Sequence, residues 1–190
     1  MRGFYTYKLQ AEAYRLLLLV ILFIMPLTLA QAEEFKSVGN TDVYFSPNGG
    51  CTEAIVQEID HAQKEILVQA YSFTSKPISK ALLDAHKRGV KVEVILDKSQ
   101  RSEKYSSADF FAHAGIPTYI DSAHAIAHNK IMCLDQITLI TGSFNFTKAA
   151  EEKNAENLLI IKGNKPLIER YIKNYYEHRS HSEPYAGRQA

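Results

Sequence analysis

Apolar and polar residues recur along this chain with two different periods, and the switches between them outline its elements. Val43-Tyr44-Phe45-Ser46 has the character of a short strand, ended by Pro47-Asn48-Gly49-Gly50, whose dihedral freedom suits a turn. From Thr52 the apolar residues Ala54, Ile55, Ile59 and Ala62 return at near-helical spacing, and Ile66-Leu67-Val68-Gln69-Ala70-Tyr71 then reads as a buried strand. Pro77 opens a second helix with Ile78, Ala81, Leu82 and Ala85 as its stripe. Gly89 takes the left-handed position after it, and Val90, Val92 and Val94 alternate with Lys91 and Glu93 into Ile95-Leu96-Asp97. This is a strand, helix, strand unit.

The second half repeats the alternation. Residues 98–107 are polar and predict a flexible loop; residues 108–114 predict a helix ended by Gly115, ahead of a strand at Pro117-Thr118-Tyr119-Ile120. Residues 130–134 and 137–141 predict a hairpin joined by Asp135-Gln136, although neither joining residue is the favoured glycine. Residues 158–161 add a strand and residues 167–176 a closing helix. Strands alternating with helices predict an α/β fold, a mixed β-sheet sandwiched between helices.

Composition changes the picture at the N-terminus. Arg2, Lys8 and Arg15 precede an apolar stretch from Leu16 to Met25, and Ala30-Gln31-Ala32 has the small-x-small form of a signal-peptidase site. The stretch continues through Pro26 to Ala30, and at about 15 residues it is short against the roughly 20 a spanning helix needs. The expectation is a signal peptide at residues 1–32, a single domain at residues 33–190, a periplasmic or secreted location, and no stable membrane association after cleavage. The competing reading is a retained anchor. Cleavage would remove Arg2, Lys8, Arg15 and Glu12 from the 22 basic and 21 acidic residues, leaving 19 against 20. Global charge then offers a polyanion no attraction, so any nucleic-acid affinity must come from a local cluster. Two such runs exist, Lys98, Arg101 and Lys104 in the polar loop and Lys173, His178, Arg179 and His181 near the end, each weighed against an ordinary solvated surface. Two cysteines, Cys51 and Cys133, cannot build a Cys-rich metal module, and they are either a pair or two separate buried thiols.

The chemistry concentrates in His128-Asn129-Lys130-Ile131-Met132-Cys133-Leu134-Asp135 and, six residues later, Gly142-Ser143-Phe144-Asn145. Side chains two apart on a strand share a face, so His128 projects with Lys130 and Ser143 with Asn145. Asp135 is an odd separation from His128 and points the other way, as a structural or ion-pairing carboxylate. An ammonium and an amide can hold the oxygens of a phosphodiester while a neutral imidazole attacks phosphorus or takes a proton, chemistry that needs no metal. Taken singly, a histidine is more often structural and a Gly-Ser pair more often a turn; the joint spacing carries the argument.

That spacing, His-x-Lys-x4-Asp-x6-Gly-Ser-x-Asn, resembles the signature of the phospholipase D superfamily at every defined position. The sequence around it, from Gly142 through Thr147-Lys148-Ala149-Ala150-Glu151 to Ala155-Glu156-Asn157, is similar to the single-motif exported bacterial endonucleases of that superfamily, as are Val68 to Thr74 and Lys87 to Val92. The resemblance implies that His128 is the nucleophile, that Lys130 and Asn145 hold phosphate oxygens with Ser143 in support, and that Asp135 and Gly142 are structural positions of the motif. It also implies that Glu156 hydrogen-bonds the other imidazole nitrogen and thereby fixes which nitrogen attacks. No cofactor and no metal are implied.

An in-line displacement at phosphorus by one histidine needs a general acid on the opposite side. None of His61, His86, His113, His124, His178 or His181 is followed by Lys at the second position and Asp at the seventh, so the chain holds half of a site. The expectation is a homodimer that places two His128 rings across a two-fold axis. The function expected is hydrolysis of DNA, and of RNA as a further candidate, with little sequence preference. The alternatives are a phospholipase or other phosphodiesterase of the same superfamily, and a non-enzymatic phosphate-binding protein.

Overall fold

The long apolar runs become the inner strands of one mixed sheet in the computed structural model, which describes residues 32–36 and 38–188. The apolar stretch from Leu16 to Met25 lies outside the described residues. Among those described, no helix is long and apolar enough to cross a membrane.

The strands are β1 (Asn40–Ser46), β2 (Glu65–Ala70), β3 (Lys91–Asp97), β4 (Thr118–Asp121), β5 (Lys130–Leu134), β6 (Thr138–Gly142), β7 (Glu156–Lys162) and β8 (Glu183–Pro184). The helices are α1 (Cys51–His61), α2 (Lys76–Lys87), α3 (Ala108–His113), α4 (Lys148–Glu152) and α5 (Lys165–His181). The sheet order is β1-β7-β6-β5-β2-β3-β4-β8. The β2-β3-β4 group is parallel, as helical crossovers require, and β2-β5-β6-β7-β1 is antiparallel.

Both faces of this sheet are covered, which is why β2 carries no simple alternation. Ile66, Val68 and Ala70 join Val92, Val94 and Leu96 in a core with Ile55, Ile59, Ile78 and Leu82 of α1 and α2. Leu67, Ile95, Ile131, Cys133 and Leu139 face the other way, against Ile168 and Tyr175 of α5. Cys51 belongs to the first core and Cys133 to the second, so the sheet lies between them and both are free thiols. Burial pushes Cys51 up to about 11 and Cys133 up to about 12, well away from a reactive thiolate.

Several elements depart from the expectation. The segment read as a flexible loop begins with a 3-10 turn at Lys98–Arg101, capped by the Asp97 side chain, which accepts from the Ser99 amide at 2.9 Å. Gln100 is buried there, and its Oε1 accepts from the Phe73 amide at 3.2 Å. The closing helix runs through His181, longer than its apolar stripe, and is followed by the short edge strand β8. The hairpin turns through Asp135 and Gln136 at φ 52° and 61°, a left-handed pair at which glycine is normally favoured.

Asp135 offsets that strain with its side chain. Its carboxylate accepts three backbone amides, Gln63 at 2.8 Å, Lys64 at 2.8 Å and Glu65 at 2.9 Å, and so ties the hairpin to the entry of β2. Burial opposes its ionisation, but the three amides outweigh burial and hold the carboxyl below its ordinary value. A group with a depressed folded pKa stabilises the protein above its unfolded value, about 3.9, and loses that contribution as pH falls through the folded one. Asp135→Ala should therefore lower the unfolding free energy by about 1.5–3 kcal/mol at neutral pH. Urea denaturation should show the difference from wild type shrinking below pH about 4.

Candidate active site

Three neighbouring strands deliver the chemistry-bearing residues to one end of the sheet. His128 and Asn129 immediately precede β5, Ser143 to Asn145 immediately follow β6, and Glu156 begins β7. The pairing of Met132 with Ile140 and of Gly142 with Leu158 makes these three termini adjacent. Tyr71, just beyond β2, reaches the same end: its amide donates to the Asn129 carbonyl at 2.8 Å.

Lys130 is the buried charge of the group, 7% exposed. Its Nζ donates to the His128 carbonyl at 2.9 Å and lies 5.1 Å from the centre of the Tyr71 ring. Burial draws the ammonium below its ordinary value, and the Glu156 carboxylate works against that effect. Among the described residues no carboxylate bonds Nζ, so the ammonium keeps donors for an anion. His128 is exposed, and its ring packs on the other ring of the group, Tyr71, with centroids 4.5 Å apart and a 51° tilt.

The turn after β6 is held by β7. The Ser143 hydroxyl accepts from the Asn157 amide at 3.0 Å, and the Asn157 carbonyl accepts from the Ser143 and Phe144 amides at 3.1 and 3.2 Å. Gly142 makes this approach possible. At its φ of 144° a Cβ would lie 2.3 Å from the Asn157 carbonyl oxygen, so the position demands glycine. Asn145 follows, its Oδ1 buried without a hydrogen-bond partner among the described residues. It lines a depression of about 450 Å³ together with Tyr71, Thr74, Gln100 and Thr147.

One expected contact is not made. Glu156 lies near enough to Lys130 to act on its charge, yet its carboxylate accepts from the Asn154 side chain at 3.1 Å and bonds no nitrogen of His128. The asparagine sits two residues earlier in the bend that enters β7, and a local side-chain donor competes effectively for such a carboxylate. Glu151, which follows the motif in the sequence, serves α1: it accepts from the Gly50 and Thr52 amides at 3.2 and 2.7 Å, a carboxylate at a helix N-terminus.

Members of both basic surface runs are engaged within the fold. Arg101 pairs with Glu183, Lys98 donates to the His124 carbonyl, and Arg179 stacks on Tyr119. Sequence reasoning missed the parts of Tyr71 and Asp97. The Asp97 carboxylate is buried at the end of β3 and accepts from the Ala127 amide at 2.8 Å, which anchors the segment that delivers His128. The only signal for Asp97 was an acidic residue ending an apolar strand.

Residues 55–179 match the family described as cardiolipin synthase, PLD-like domain. The chain belongs to the phospholipase D superfamily. It is a phosphodiesterase of that superfamily, and its α/β fold, with a mixed sheet between helices, is the superfamily's fold. A phospholipase D of Rickettsia prowazekii is 41% identical over 146 residues, which span 77% of this chain and 71% of the relative. The crystal structure of Nuc, a phospholipase D family member from Salmonella typhimurium, superposes with a TM-score of 0.74 at 37% identity, covering 77% of this chain and 97% of that one. NucT from Helicobacter pylori shares the fold, with a TM-score of 0.70 at 21% identity over 77% of this chain and 99% of that one.

At this end of the sheet Tyr71 contacts two groups at once, the His128 ring and the Lys130 ammonium. Tyr71→Ala should lower kcat on a chromogenic phosphodiester by about 10- to 100-fold, the usual cost of a loosened reacting group. Tyr71→Phe keeps both ring contacts and should stay near the wild-type rate.

Proposed function

We propose that this phosphodiesterase is a metal-independent, largely sequence-nonspecific endonuclease that cleaves DNA, and RNA as a second candidate, through a phosphohistidine at a site shared by two copies of the chain. The observation that carries the reading is the placement of His128, Lys130, Ser143 and Asn145 at adjoining strand ends, with a single imidazole in the set. Neutral His128 attacks phosphorus, forming the N–P bond as the P–O bond to the leaving alkoxide breaks. The partner's His128, protonated, gives its proton to that alkoxide, then takes a proton from water as the water hydrolyses the phosphohistidine. The Lys130 ammonium and the Asn145 amide from each copy offset the charge gathered on the phosphoryl oxygens. Glu156 is the residue assigned to orient the imidazole, a role that requires its carboxylate to exchange Asn154 for His128.

Exposed apolar side chains near the site end support the second copy. Phe45, opposite Asn157 on the edge strand β1, is 64% exposed, and Ile126, two residues before His128, is 58% exposed. The resemblance to exported single-motif endonucleases supports the nucleic-acid substrate and a periplasmic or secreted location. The phospholipase D name of the Rickettsia relatives favours a second reading, hydrolysis of a lipid phosphodiester.

Plasmid DNA incubated with the protein in EDTA should be nicked, and His128→Ala should abolish the nicking. Cleavage that requires added magnesium would overturn the mechanism, and turnover of phospholipid vesicles without DNA cleavage would select the second reading. The rate should be bell-shaped in pH, since one imidazole must be neutral and the other protonated. Glu156→Gln should slow turnover without changing the thermal midpoint. An excess of His128→Ala mixed with wild type should depress activity beyond dilution.

A further inference from the structure

Beyond the phosphate site, the same end of the sheet carries a second cluster of chemically able side chains. Asp121 ends β4 and is fully buried; His124 lies in the connection that leads to His128; His178 and His181 stand three apart in the last turn of α5, on one helical face. The Asp121 Oδ2 atom meets all three rings, His178 Nδ1 at 2.7 Å, His124 Nδ1 at 2.9 Å and His181 Nε2 at 3.4 Å. The ring centroids stand 4.8 to 5.3 Å apart and rim a cup whose floor is the carboxylate.

Hydrogen bonding alone leaves this arrangement unbalanced. One carboxylate oxygen has two lone-pair directions, and three imidazole nitrogens converge on it, the His124 nitrogen lying also 3.1 Å from Oδ1, which the Ala123 amide already occupies. A single cation would replace three converging protons. The four donor atoms, one from each residue, lie within 4.8 Å of one another. A four-coordinate zinc ion, with bonds of about 2.0–2.2 Å, needs donors about 3.3 Å apart, which small side-chain rotations from this geometry supply. The Asp121 Oδ1 atom already accepts from the Ala123 amide at 3.1 Å, an outer contact of the kind that orients a ligating carboxylate.

We propose that Asp121, His124, His178 and His181 form a structural binding site for a first-row divalent metal ion, with zinc the chemical match to three imidazoles and one carboxylate. All four positions are filled by protein, so the site is closed and braces rather than catalyses. Its ligands join the end of α5 to the connection between β4 and β5, which Asp97 also anchors through Ala127 and which carries His128. Without metal the hydrogen bonds to Asp121 keep the same parts together, so phosphodiester cleavage in EDTA and metal loading are separate readouts.

The test is a titration of Co2+ into the metal-stripped full chain. Visible d–d bands of four-coordinate intensity, saturating at one equivalent and bleached by Zn2+, are expected. Zn2+ at about 100 times its Kd should raise the thermal midpoint by roughly 5–10 °C. His124→Ala and His181→Ala, both at partly exposed side chains, should each lose the bands and the shift while keeping the metal-free circular dichroism spectrum. Absence of the bands, six-coordinate bands only, or bands that persist in both variants would overturn the proposal.

Discussion

Because β5, β6 and β7 run antiparallel with Met132 opposite Ile140 and Gly142 opposite Leu158, the start of one strand, the end of the next and the start of the third meet at one edge. The site depends on that register. A slip of one residue would turn Lys130 out of its place beside Tyr71 and exchange the apolar sets that face the two cores. Asp135 fixes the register at the far end of the hairpin through three amides, and Gly142 fixes it at the near end by admitting the Asn157 carbonyl. The two motif positions without direct chemistry thus hold the others in place.

Electrostatics follow from that placement. A lysine drawn below the surface at the start of a central strand carries its charge against an aromatic ring and a carbonyl, with a carboxylate close enough to favour the charged form. The desolvated ammonium attracts a phosphate more strongly than a solvated one would. His128 beside it is exposed, as the proposed attack on phosphorus requires.

Much of this was legible in the sequence for physical reasons that are local. Helices α1 and α2, the strands of the core and the hairpin follow from apolar period, proline and glycine placement, and residue spacing of two on a strand predicted that His128 and Lys130 project together; both contact Tyr71. Contacts made across long separations were not legible. Nothing near Asp121 signals His178, 57 positions away, and Gln100 reads as a loop residue until its bond to the Phe73 amide is seen. Glu156 shows the limit from the other side: a spacing that resembles a family names the residue, while the side chain's neighbour Asn154 decides its partner.

The proposed mechanism requires His128 to form a bond to phosphorus. Quenching a reaction with a phosphodiester substrate under mildly basic, phosphohistidine-preserving conditions, followed by peptide mass spectrometry, tests this directly. A phosphoryl-derived mass addition confined to His128 is the predicted result; full turnover with no adduct on that residue at any time point would contradict it.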